Sequence, residues 1–143
     1  MTIHAAEAPR RLSLGDKARL VGEIASSYRR SRRLIRRQDL PTALAQLRHG
    51  APPEKGPLPR DRLLEGARLG RVVGRVLGPL PLESRCLVRS LVLTELLARR
   101  AIPSTLVIGV KPGDSFGAHA WIELNGVPVL PSGDGQYVRL VDL

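Results

Sequence analysis

The sequence predicts an α+β fold, with helices alone over residues 1–80 and then one helix packed on a small antiparallel sheet over residues 81–143. Three observations carry this reading. Apolar residues recur at helical spacing as far as Leu77, Ala118–Leu124 alternates with period two, and Asn125-Gly126 is a strong hairpin signal. The charge divides at the same place. Residues 1–80 hold 17 basic and 7 acidic side chains and residues 81–143 hold six of each, so the whole net charge of +10 sits in the first half.

Residues 1–12 lack periodicity and are expected to fray. Ser13 with Asp16 three positions on has the form of a helix start, with acid where the helix N-terminus favours it. Leu20, Val21, Ile24, Ala25, Tyr28 and Ile35 then recur at helical spacing, interrupted where Arg32 falls on the stripe. Asp39 caps a second, short helix through Leu40, Leu44 and Leu47. His49–Pro59 has four prolines and two glycines and reads as a loop. A third helix runs over Arg60–Leu77 until Gly78-Pro79-Leu80-Pro81 stops it. After Pro81, Ser84 can cap a helix over Arg85–Arg99, which Pro103 closes. Thr105–Val110 is a β-branched run suited to a buried strand. In Ala118–Leu124, His119, Trp121 and Glu123 share one face, and Ala120, Ile122 and Leu124 share the other. The hairpin turn leads to Val127–Leu130, Pro131–Gly135 turns, and Tyr137–Val141 supplies a last strand.

Composition narrows the function. A chain of 143 residues is one domain's worth, and 43% apolar residues suffice for a core. Aromatics are only 3% (Tyr28, Phe116, Trp121 and Tyr137), which argues against a module that stacks bases on aromatic platforms. The single cysteine, Cys86, excludes an internal disulfide and a multi-cysteine zinc site, so no metal or other cofactor is expected. No stretch approaches the roughly 20 apolar residues needed to cross a bilayer, and the first sixteen residues hold no apolar run of signal-peptide length. A soluble cytoplasmic protein with no membrane contact is the expectation.

The chemistry concentrates in the neutral half. If Ser84 is the cap, Cys86 lies in the first turn of its helix, where unpaired backbone N–H groups favour a thiolate. His119 follows 33 residues later on a strand and can accept the thiol proton. A carboxylate or amide is then needed to hold the second ring nitrogen, and Asp134 after the hairpin or Glu123 on the same strand can serve.

The order of cysteine helix, histidine strand and acid has a known counterpart. Arg85–Leu130, above all Cys86–Leu97 and Ala118-His119-Ala120-Trp121-Ile122-Glu123, resembles the transglutaminase-like cysteine hydrolases. More narrowly it is similar to the small bacterial leader peptidases that mature lasso peptides. The resemblance covers about the last sixty residues and implies a papain-like fold, a catalytic helix packed on an antiparallel sheet. It makes Cys86 the nucleophile and His119 the base, and it puts an aspartate at about Leu130 or Pro131. Here that stretch reads Val129-Leu130-Pro131-Ser132-Gly133-Asp134-Gly135. Asp134 is therefore the preferred third residue, with Glu123, a backbone carbonyl or a bare dyad as alternatives. The resemblance also implies a precursor peptide as substrate, a small leader-binding recognition protein as partner and an asparagine-synthetase-like cyclase downstream. A strand-rich recognition domain is not apparent in residues 1–80.

Arg29–Arg37 carries six arginines and no acid. Arginine forks suit carboxylates, so Arg29, Arg30, Arg32 and Arg33, with Trp121 on the catalytic strand, are expected substrate or partner contacts. Residues 1–80 would then form a basic accessory region for recruitment and residues 81–143 the peptidase core. Competing readings are a basic helical nucleic-acid-binding protein, a transglutaminase-like acyltransferase, and an inactive fold that only binds. Nucleic acid is disfavoured because it leaves the Cys86–His119 order unexplained.

Overall fold

A computed structural model describes residues 11–49, 56–79, 85–113, 117–130 and 137–143. Four helices precede four strands: α1 (Leu14–Arg37), α2 (Leu40–Leu47), α3 (Arg60–Leu77), α4 (Arg85–Arg99), β1 (Thr105–Lys111), β2 (Gly117–Leu124), β3 (Val127–Pro128) and β4 (Val138–Asp142). The fold is α+β, as the alternation and the helical periods predict. No helix among the described residues is long and apolar enough to cross a membrane.

The helix starts follow the expected chemistry. The Ser13 hydroxyl accepts from the Asp16 amide at 3.1 Å, and the Asp39 carboxylate accepts from the Thr42 amide at 3.3 Å. The Ser84 cap falls outside the described residues. The buried face of α1 differs from the apolar count. Ile24 is buried with Ser27 and Ser31, whereas Val21 is 47% exposed. The reason is polar: Ser27 faces a buried carboxylate on α4, which turns the side of Ile24, Ser27 and Ser31 inward and leaves Val21, roughly a third of a turn round the helix from Ser27, outside.

The helix α4 is the centre of the molecule. Every residue from Ser90 to Leu97 is buried, because α1, α2 and α3 clothe one side and β2 the other. The core is one cluster that joins Ile24, Leu44, Leu47, Leu69 and Val73 from the first half to Leu91, Leu96, Leu106, Ile122 and Leu124 from the second. The hydroxyls of Ser90 and Thr94 are satisfied on the backbone carbonyls of Cys86 and Ser90, both at 2.8 Å. Two glycines let α3 close on the sheet. A methyl at Gly66 would collide with Leu124, and one at Gly70 with the carbonyl oxygen of Val129.

The sheet is antiparallel throughout, in the order β3-β2-β1-β4. Asn125 and Gly126, with φ of 50° and 76°, form the tight turn between β2 and β3. β3 is shorter than the expected Val127–Leu130. The Val129 N–H still donates to the Ile122 carbonyl at 2.9 Å, and the chain then turns inward to bury Leu130 in the core. β4 pairs with β1, on the far side from β3, so the hairpin does not extend into a meander.

Candidate functional site

Cys86 is the second residue of α4, half-buried, with its thiol free and its side chain packed against the core. Its carbonyl accepts the Ser90 hydroxyl, which ties the first turn to the second. Arg89, three residues on and so on the same side of the helix, was missed at the sequence level. Its Nε is buried without a hydrogen-bond partner among the described residues.

His119 is the third residue of β2 and is half-buried. The register sets it directly opposite Gly109 of β1, and the missing side chain there makes room for an aromatic cluster. The Trp121 ring crosses Gly109 and stacks on the imidazole, with ring centres 5.9 Å apart and planes 24° apart. Tyr137 meets the same imidazole at 5.2 Å, tilted by 38°. Trp121, an expected substrate or partner contact, is 5% exposed, and its indole N–H donates to Glu123 at 2.9 Å. Arg139 engages the second oxygen of Glu123 and holds Asp142 at 3.0 Å. Glu123 therefore supports Trp121. It stands four residues along the strand from His119, about 13 Å at 3.3 Å per residue, so it does not orient the imidazole. Asp134 lies outside the described residues.

Chain direction relates the two chemical residues. A short turn joins α4 to β1, and β2 runs antiparallel to β1, so α4 and β2 run the same way. Leu97 and Leu124 meet beside Gly66. Cys86 lies eleven residues before Leu97, about 16 Å along the helix, and His119 lies five before Leu124, about 17 Å along the strand. The Cys86 end of α4 is thus level with the His119 end of β2. Alternation sets the imidazole on the sheet face of Trp121, whereas Ile122 and Leu124 share the opposite face, the one that meets Leu97 of α4, so the level is shared across the sheet and not on one face of it.

Behind α4 lies a buried charge network that the sequence reading also missed. Glu95 is fully buried; it accepts the Ser27 hydroxyl at 2.5 Å and Arg99 at 3.0 Å, with Arg30 at 3.3 Å and His49 at 3.7 Å. Glu23 takes Arg100 in a two-pronged pair at 3.0 Å for each bond. This Arg100 contact, with help from Arg99, holds the Glu23 carboxyl below its ordinary range against the opposing effect of burial. Acids at Glu23 and Glu95 within helical arginine-rich stretches were the available signal.

The arginine run is divided by this network. Arg30 goes to Glu95, while Arg29, Arg32, Arg33, Arg36 and Arg37 line a groove of about 390 Å³ with Tyr28. Arg32 lies over the Tyr28 ring at 5.7 Å and donates to its hydroxyl at 3.4 Å.

Among the described residues, no group of three or more His, Cys, Asp or Glu side chains is arranged to hold a metal ion. No curated protein and no solved structure matches the chain. A family model does match, over residues 23–142, from α1 to the last strand. That span takes in the helices of the first half together with Cys86 and His119, and the chain belongs to the transglutaminase-like superfamily.

Proposed function

We propose that the protein is a cysteine peptidase that removes the leader from a ribosomally made lasso precursor peptide. Membership in a superfamily typical of cysteine peptidases and acyltransferases supports the thiol chemistry. The observation that carries the assignment of residues is the family match itself, whose span holds both the cysteine at the start of α4 and the histidine of β2. In this reading the Cys86 sulfur attacks the carbonyl carbon at the leader–core junction. The thiol proton passes to His119 and on to the departing amine as the C–N bond breaks. The core peptide leaves as that amine, and the thioester, which holds the leader, is hydrolysed by water that His119 deprotonates, freeing the leader and restoring the thiol. A tetrahedral oxyanion at the start of α4 meets the Cys86 amide, a contact of a kind worth about 3 kcal/mol per donor. Asp134 is the residue proposed to orient His119. A small leader-binding protein presents the precursor, and an asparagine-synthetase-like cyclase uses the product.

The test is mass spectrometry of precursor incubated with wild type, Cys86→Ala and His119→Ala. Wild type releases leader and core with the mass of one added water, and both variants leave the precursor intact. Full cleavage by either variant refutes the assignment. A product that carries an added amine in place of water would identify acyl transfer.

A further inference from the structure

Two sets of five arginines differ in their partners. Arg30, Arg62, Arg99, Arg100 and Arg139 each pair with a glutamate. Arg29, Arg32, Arg33, Arg36 and Arg37 pair with no carboxylate among the described residues. Their spacing of three and four puts them on one face of α1, where like charges repel. The Tyr28 contact holds Arg32 in the groove through one N–H on the hydroxyl and leaves the other donors of its fork available. Unneutralised guanidinium groups gathered in a groove of about 390 Å³ suit a ligand that brings several anionic oxygens.

The direction of the groove matters as much as its charge. Glu23 meets Arg99 and Arg100, while Ser27 and Arg30 meet Glu95, so α1 and α4 run antiparallel. Continued at the same rise, this register brings Arg36 and Arg37 level with Cys86. The groove therefore runs along α1 towards the thiol end of α4. From Arg29 to Arg37 is about 12 Å of helix, the length of about four residues of extended peptide.

We propose that this groove docks a carboxylate-rich segment of a polypeptide, with the chain beyond it continuing towards Cys86. The substrate half of this inference rests on the peptidase reading, whereas the docking half stands on the arginine geometry alone. A peptide is favoured over nucleic acid because the guanidinium fork matches a carboxylate. Tyr28, the groove's aromatic residue, already carries Arg32 over its ring, so a base that stacked there would compete with a guanidinium.

Fluorescence anisotropy tests it with a labelled twelve-residue peptide that has Glu-Glu-Asp-Glu at its centre, beside its Gln/Asn twin. The acidic peptide should bind wild type saturably and the twin should not. The triple variant Arg29→Gln, Arg33→Gln and Arg36→Gln should raise Kd at least about tenfold, since each lost pair contributes a few-fold. Arg60→Gln, Arg71→Gln and Arg75→Gln remove equal charge from α3 and should change Kd less than about twofold. All these arginines are exposed, and unchanged helical circular dichroism verifies folding. Equal loss in both triple variants, or no saturable binding, overturns the proposal. Tighter binding of a duplex DNA probe that the groove variant abolishes also overturns it, in favour of nucleic acid. Cys86→Ala should bind the peptide like wild type. If Cys86→Ala still cleaves precursor while the groove variants lose binding, the peptidase reading fails and the docking site stands.

Discussion

A methyl group added at Gly109 tests how His119 is held. Built on the backbone, it would lie 2.9 Å from two carbons of the Trp121 ring and 3.1 Å from the Tyr137 β-carbon. Carbon atoms pack at about 3.5–4.0 Å, so the indole must move by roughly half an ångström or more. Overpacking of this kind costs about 1–3 kcal/mol, and replacing a strand glycine by alanine returns about 0.5–1 kcal/mol. Gly109→Ala should therefore lose about 1–2 kcal/mol, or about 3–6 °C in Tm for a chain of this size. Trp121→Phe deletes the two clashing ring carbons, so in that background the same methyl should cost less than about 0.5 kcal/mol. The four proteins form a double-mutant cycle, read by urea unfolding with circular dichroism. Activity should fall with stability only while the indole is present, because the displaced ring carries His119 with it, and small misplacements of a reacting group are costly. Trp121 is the single tryptophan, so its emission reports the displacement directly. Equal cost in both backgrounds would refute the packing of Trp121 over Gly109 and its role in positioning the imidazole.

Gly70→Ala should destabilise by at least about 2 kcal/mol, since the methyl meets the backbone oxygen of Val129, and thermal melting reads it. Glu95→Leu should lose about 3 kcal/mol in urea unfolding, because it removes the buried carboxylate that Ser27 and Arg99 share and strands the Ser27 hydroxyl. The Glu23 carboxyl is held low by Arg100, so its contribution is present at neutral pH and lost as pH falls through and below the ordinary carboxylate range. Arg100→Met should lower stability by about 1–2 kcal/mol at pH 7 and by less at pH 3, in unfolding series at the two pH values. An equal loss at both would show that the pair is not the source.

Local patterns carried much of this reading. The caps at Ser13 and Asp39, the Asn125-Gly126 turn and the β2 alternation all act within a few residues, so their signals survive without the rest of the chain. The same holds for Cys86 at a helix start and His119 on a strand. The partners of these residues were not legible. The bond from Trp121 to Glu123 follows a strand's two-residue period, but the neighbours Gly109, on β1, and Tyr137, just before β4, come from elsewhere in the chain. Ser27 and Glu95 lie 68 positions apart, and nothing local says that they meet.

The arginine run draws the same line. Its composition and helical spacing were set by the chain alone, and those sufficed to mark a strongly basic helix face next to a neutral half with cysteine and histidine. Which arginines are spent inside the fold was decided only when α1 packed antiparallel on α4 and put Glu95 beside Arg30. The β1–β4 pairing and the common level of the Cys86 end of α4 and the His119 end of β2 have the same origin. Periodicity is a short-range property of a backbone, whereas neutralisation, burial and alignment depend on which distant elements share one core.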